Sequence, residues 1–228
     1  MDSPFLDSID WEPFYPPHPA DPLGVVGVGE DLHPELLLEA YDLGIFPMPE
    51  DDENLVWMCP EPRAILRLEK MLSHKRLARR IRSLQLDYSV GLDFTRVMRS
   101  CGENRAEGTW ITPRMVDAYH WLHRLGRAQS LEVWQGSDLV GGVYGVLVGS
   151  IFCAESMFSR ISDGSKSALY FLCQHLLAQG FRFIDCQLLN PHTESLGAEE
   201  IPREEYLKLL AVYRSDSPSL IPGRYPAL

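Results

Sequence analysis

Residues 167–187 read SALYFLCQHLLAQGFRFIDCQ. The apolar run from Ser167 to Gln179 has the length of a helix, Gly180 supplies a residue that ends one, and Phe181 to Gln187 returns as a strand. Upstream, Ser130-Leu131-Glu132-Val133-Trp134 predicts a strand, Gln135-Gly136-Ser137-Asp138 a turn, and Leu139 to Val148 a glycine-rich second strand. Ser150 to Phe158 predicts a third strand, interrupted by Glu155, before the loop Ser162 to Lys166 leads into the helix. Three antiparallel strands, a helix and a returning strand make an α+β unit around one mixed sheet.

The rest of the chain is built around that unit. Leu86 to Val90 predicts a strand, Asp93 caps a helix through about Cys101, and Thr112-Pro113 opens a helix that stops before Gly126. Near the N-terminus, His33-Pro34 starts a short helix and Gly44 ends it. Ile45-Phe46-Pro47-Met48-Pro49 follows, and its two prolines exclude a central strand; it reads as a buried turn, with a pocket wall as the alternative. Residues 2–22 hold six prolines and read as an extended arm.

Composition bounds the class. The 228 residues are 45% hydrophobic and 23% charged, enough for a globular core without a disulfide or metal staple. The net charge of -11 argues at face value against a nucleic-acid partner. Its distribution reverses that: residues 1–62 hold 15 Asp or Glu and no Lys or Arg, so residues 63–228 are mildly basic. The division predicts a small acidic N-terminal domain with a Pro-rich arm at 1–62 and a second domain at 63–228. Between Arg67 and Arg82 lie seven Lys or Arg and one Glu. Ser73 is read as the cap of a helix to about Arg82. Lys75, Arg76, Arg79 and Arg80 on it are like charges at helical spacing, which a phosphate backbone would relieve; a solvated face is the alternative.

Five cysteines, odd in number and without a C-x-x-C pair, read as reduced residues, so neither a metal site nor a cofactor is expected. The acidic N-terminus lacks a signal peptide's basic and apolar regions, and no window is apolar enough to span a membrane. The expectation is a cytoplasmic protein.

Chemistry concentrates at three places. Asp185 and Gln187 share one strand face, either as a structural polar network or as a device at a strand's carboxyl end, where ligands often bind. Glu155 sits in apolar company and needs a partner, Arg160 or a ligand. The Ser162 to Lys166 loop, entering a helix, is a weak phosphate-site candidate.

Several strings together resemble one family. Gly44-Ile45-Phe46-Pro47, Trp57-x-x-Pro60-x-Pro62-Arg63-Ala64, Glu107-Gly108-Thr109-Trp110-Ile111-Thr112-Pro113, Gly141-Gly142-x-Tyr144-Gly145, Glu155-Ser156-Met157-Phe158-Ser159, Ser165-Lys166, Ile184-Asp185-Cys186-Gln187, Ser195-Leu196-Gly197-Ala198 and Ile201-Pro202-Arg203 look like the leucyl/phenylalanyl-tRNA–protein transferases. The likeness runs in order from about Gly24 to Leu210.

The resemblance implies a C-terminal domain like the GNAT acetyltransferases, and transfer of Leu, Phe or Met from aminoacyl-tRNA to the N-terminal amine of proteins beginning with Arg or Lys, marking them for degradation. A monomer is expected. By the same resemblance Asp185 and Gln187 are the catalytic pair, Asp185 polarising Gln187, whose carbonyl accepts a hydrogen bond from the amine. Trp110 packs near the terminal adenosine and Glu155 is a pocket polar group. Phe152, Met157, Leu169, Leu172, Leu176 and Ile184 line the cavity for the amino-acid side chain. Met48 stands where the family usually has Trp. Lys75, Arg76, Arg79 and Arg80 would meet the acceptor stem. The competing readings are acidic N-termini as acceptors, an acyl-CoA-dependent N-acyltransferase, and a non-catalytic adaptor for N-termini or tRNA.

Overall fold

The computed structural model describes residues 4–49, 54–103, 109 and 111–225. A 3-10 turn at Leu6–Ser8 precedes a three-stranded antiparallel sheet of β1 (Val25–Gly29), β2 (Phe46–Pro49) and β3 (Leu55–Met58), in the order β1-β3-β2, with α1 (Pro34–Asp42) between the first two. The segment read as a buried turn is therefore a strand. Pro47 and Pro49 are tolerated because β2 lies at the sheet edge, where a missing N–H breaks no ladder. The proline-rich arm is fastened to this sheet: Trp11 and Phe14 are buried, and the Phe14 ring centre lies 5.2 Å from that of Trp57.

The second sheet has eight strands: β4 (Arg63–Arg67), β5 (Asp87–Val90), β6 (Ala128–Gln135), β7 (Asp138–Val148), β8 (Ile151–Ser159), β9 (Phe183–Gln187), β10 (Glu199–Ile201) and β11 (Gly223–Tyr225). Their order is β10-β4-β9-β8-β7-β6-β5-β11, and all neighbours are antiparallel except β8 and β9. The helices are α2 (Leu68–Leu72), α3 (Lys75–Leu84), α4 (Phe94–Gly102), α5 (Pro113–Arg124), α6 (Gly164–Ala178), α7 (Pro191–Ser195) and α8 (Arg203–Tyr213).

The hairpins, α6 and the returning strand follow the sequence reading. The basic helix starts one residue late: His74 is the N-cap of α3, while Ser73 closes α2 with its Oγ donating to the Lys70 carbonyl at 2.7 Å. Thr112 caps α5 as expected, its side chain accepting from the Met115 N–H. Asp93 is at the N-cap of α4 but makes no side-chain cap bond and lies 3.5 Å from Arg96 instead.

Two apolar cores flank the large sheet. On one face α6 packs Leu169, Phe171, Leu172 and Leu176 with Phe152 and Ile184. On the other, Phe94, Tyr119, Tyr144 and Tyr206 join a core that continues into Tyr41, Phe46 and Trp57 of the N-terminal region. This is an α+β chain with a small N-terminal region and a mixed sheet, in which a helix links the two parallel strands. No disulfide joins the five cysteines, all of which are among the described residues. No helix among the described residues is long and apolar enough to cross a membrane.

Candidate active site

The site forms where the parallel pair parts. Pairing of β8 with β9 runs through Ile151↔Phe183, Phe152↔Ile184 and Cys153↔Asp185, and stops there. Both strands are irregular at that point. Against β7, Tyr144 pairs with Ser156 and Gly145 with Ala154, so Glu155 is the extra residue of a bulge, a device that re-aims a side chain. Gly145 is required opposite it: a Cβ there would stand 2.2 Å from the Cys153 carbonyl oxygen and 2.5 Å from the Phe152 ring. Against β4, Ala64 pairs with Gln187 and Ile65 with Asp185, which leaves Cys186 as the second extra residue.

Glu155 is the hub of this gap. Its Oε1 accepts from Tyr41 Oη at 2.7 Å and from Gln187 Nε2 at 2.7 Å, and its Oε2 accepts from Tyr119 Oη at 3.3 Å. The two phenol oxygens are 2.6 Å apart. Burial pushes the Glu155 carboxyl up to about 7, while the bonds from Tyr41, Gln187 and Tyr119 pull it down. Burial raises both phenols, which stay protonated as donors. Glu155 thus turns to the tyrosines and not to Arg160, whose Nη2 goes to Glu103 Oε2 at 2.7 Å and Ser100 Oγ at 2.9 Å.

Asp185 is fully buried and its oxygens are full. Oδ1 accepts from Arg63 Nε at 2.8 Å and from the Gln187 backbone N–H at 2.9 Å; Oδ2 accepts from Arg63 Nη2 at 2.6 Å and Tyr206 Oη at 2.8 Å. These four bonds occupy the lone-pair sites of a carboxylate. Asp185 meets Gln187 through its backbone, not its side chain. Gln187 has φ 63, a left-handed value uncommon outside glycine, and its side chain reaches Glu155 across the gap.

A cavity of about 310 Å³ opens over Gln187 and Glu155. Phe46, Pro47 and Met48 form one wall, Met157 and Leu169 contribute apolar surface, and Asn190, His192 and Thr193 stand opposite. Met48, Glu155, Met157, Leu169 and Gln187 are therefore brought together as cavity lining. Phe152, Leu172, Leu176 and Ile184 are not: all four are shut into the core, at most 1% exposed, and do not line it. Trp110 lies outside the described residues. Lys75, Arg76, Arg79 and Arg80 are exposed on α3, whose Ala78 and Ile81 face inward.

The Ser162 to Lys166 loop does not offer an open phosphate cradle. The Gly164 and Ser165 N–H groups already donate to the Ile161 carbonyl and to Ser159 Oγ, and the Asp163 carboxylate sits at the start of α6, 3.4 Å from Arg80 and 3.2 Å from Lys166. Four functional candidates escape the sequence reading: Arg63, Tyr41, Tyr119 and Tyr206. Only Arg63 carries a signal, as the first basic residue of the chain and the head of the apolar run Ala64-Ile65-Leu66.

Comparison with known proteins bears on this geometry. A family model described as leucyl/phenylalanyl-tRNA protein transferase matches residues 65–211, and one described as its N-terminal domain matches residues 30–61. A leucyl/phenylalanyl-tRNA–protein transferase from Edwardsiella ictaluri (strain 93-146) is 48% identical over 86% of this chain and 81% of its own length. One from Shigella dysenteriae serotype 1 (strain Sd197) is 46% identical over 83% and 81%. Among solved structures, a functionally unknown conserved protein from Staphylococcus epidermidis ATCC 12228 aligns at a TM-score of 0.44 and 11% identity over 77% of this chain and 66% of that one, too distant to bear on function. With both family models matched in order and identity near one half over most of its length, the chain belongs to the leucyl/phenylalanyl-tRNA protein transferase family of aminoacyltransferases.

Proposed function

We propose that the chain moves Leu, Phe or Met from the 3′ end of aminoacyl-tRNA to the α-amino group of proteins beginning with Arg or Lys, marking them for degradation, and does so as a cytoplasmic monomer. The observation that carries this reading is the fixed carboxamide of Gln187. Its nitrogen is committed to Glu155, so its carbonyl oxygen is the end left to accept a hydrogen bond in the cavity.

The chemistry asks little more. The ester is already activated, and an α-amino group with a reference pKa of about 7.7–8.0 is partly neutral near pH 7. Attack forms the C–N bond and breaks the ester C–O bond; the amine loses a proton and the departing 3′ oxygen gains one. A neutral amide is no base, so Gln187 contributes orientation and stabilises the N–H that acidifies during attack. Met157 and Leu169 supply apolar surface for the transferred side chain, with Met48 on the facing wall, contributed by region 1–62 while 63–228 carries the chemistry. Lys75, Arg76, Arg79 and Arg80 take acceptor-stem phosphates, and Lys166, which also acts on cavity residue His192, continues that positive surface to the cavity. Against an acyl-CoA donor stands Asp163, a carboxylate where a pyrophosphate would need free amides.

The test is to incubate the protein with labelled Leu-tRNA, Phe-tRNA or acetyl-CoA and peptides beginning with Arg, Lys, Asp or Glu. Label moving from Leu-tRNA and Phe-tRNA to the Arg and Lys peptides is the expected result. Transfer from acetyl-CoA alone, transfer only to acidic peptides, or no transfer at all would overturn it.

A further inference from the structure

Arg63 is 1% exposed and does not line the cavity, yet it is tied to groups that do. Its Nε and Nη2 form a two-pronged fork on Asp185, and its Nη1 donates to the Gly44 carbonyl at 3.0 Å. Its guanidinium carbon lies 5.0 Å from the Phe46 ring centre and 4.4 Å from that of Tyr206. One side chain on β4 thereby ties together β9, α8 and the turn that leads into β2.

The effect reaches the cavity along one path. Asp185 Oδ1, fixed by Arg63 Nε, accepts the N–H of Gln187 two residues on, an Asx-type turn that stabilises a left-handed residue. That backbone conformation aims the Gln187 carboxamide at Glu155. The same guanidinium holds Gly44, two residues before Phe46, so the cavity wall made by Phe46 to Met48 is registered against Gln187 by a single group.

We infer that Arg63 is a positioning residue for aminoacyl transfer: by fixing Asp185 it sets the left-handed backbone of Gln187 and hence the direction of the Gln187 carboxamide. The inference rests on the reading of Gln187 as the acceptor of the amine's hydrogen bond. Asp185 then works as a bracket and not as a proton carrier, since its four donors leave no lone pair turned to substrate. Arg63 takes part in neither bond making nor bond breaking. A lysine in its place keeps a charge but loses the fork, so the position is specific for Arg.

The experiment is a double-mutant cycle on the full chain, reading kcat and KM with Leu-tRNA and an Arg-peptide. Arg63→Lys is expected to lower kcat about 10- to 100-fold, the scale of a misplaced catalytic group, with KM for Leu-tRNA within about twofold of native. In a Gln187→Ala background the same substitution is expected to change kcat no further, because nothing remains to be positioned. A merely structural role would lower kcat by the same factor in both backgrounds, and that result overturns the inference. Tyr206→Phe removes only one donor from Asp185 and is run in the same two backgrounds. Its loss is expected to be smaller and likewise absent with Gln187→Ala, and it decides the matter if Arg63→Lys fails to fold by circular dichroism. Unchanged kcat in Gln187→Ala alone would remove Gln187 from the reaction. The reading under Proposed function would then fall, and the positioning role with it; additive losses on a damaged Gln187→Ala background strike Arg63 alone.

Discussion

Gln187 Nε2 lies 2.7 Å from Glu155 Oε1 across the gap where β8 and β9 have ceased to pair. A side-chain bond there replaces the backbone ladder that ends two residues earlier on each strand, and it does so with a group that titrates near neutrality. The carboxamide's direction therefore depends on the charge of Glu155.

The rate should show this dependence. The amine must be neutral and Glu155 ionised to hold Nε2, so log kcat/KM is expected to fall with a slope approaching 2 below about pH 6.5, one proton from each group. In Glu155→Gln the second ionisation is gone and the slope should be 1. Equal slopes in the two proteins would show that Glu155 does not titrate in the reacting enzyme.

Stability should move with the same group. The folded pKa of Glu155 is raised above the unfolded value, so the folded chain binds the extra proton in the window between them. Its contribution is fully present below about pH 4.3, the reference glutamate value, and is lost as pH rises through about 7, at about 1.4 kcal/mol per unit of raise. Relative to native protein, Glu155→Gln should gain stability between pH 5 and pH 8 in urea titrations. A constant difference would contradict the raised value.

Much of this was legible in the chain, for physical reasons. The hairpins around Gly136 and the Gly180 stop are local signals, and both hold. Asp185 and Gln187 could be placed on one face because strand alternation is local too. What was not legible depends on distant partners. Glu155 looks like an interruption of a strand, and only its pairing shows that it is a bulge. Arg63 heads a five-residue strand after Pro62, too short for a pattern, and its role follows from Asp185, 122 residues away. Ile45 to Pro49 reads as a buried turn because its two prolines exclude a central strand, and whether a strand is central or at an edge is set by topology.

The basic face of α3 should act on tRNA without choosing its sequence. Arg76 and Arg79 are exposed, and among the described residues no carboxylate stands within ion-pair distance of either; Arg80 has Asp163 at 3.4 Å. Replacing all three with Ala should raise KM for Leu-tRNA and flatten the dependence of log K on log salt by roughly 2–3, at about 0.7–0.9 per phosphate. Unaltered binding at low salt would leave the patch a solvated face.

The cavity should be tunable from Leu169. Its wall of Met157 and Leu169 offers shape but no polar group to read, so discrimination between donors is worth about 1–3 kcal/mol at most. Leu169→Phe, which adds bulk, is expected to reduce kcat/KM for Phe-tRNA relative to Leu-tRNA by about 10-fold. If the ratio is unchanged, the transferred side chain does not lie against Leu169.

Gly44 joins stability to the site. Its φ is +77, and a Cβ there would stand 2.9 Å from Leu207 Cδ2 and from Tyr206 Cε1, so alanine is both strained and crowded. Gly126 has nearly the same backbone, φ +73, with nothing within 4 Å, and serves as the control. Gly126→Ala should cost about 1 kcal/mol, the conformational term alone, with kcat unchanged. Gly44→Ala should cost about 2–3 kcal/mol, or roughly 5–10 °C in Tm for a chain of this length, because Tyr206 and Leu207 must also shift. It should lower kcat as well, since the Gly44 carbonyl holds Arg63 and Tyr206 holds Asp185. Equal Tm losses in the two variants, or a Gly44→Ala protein with native kcat, would separate this turn from the geometry of Gln187.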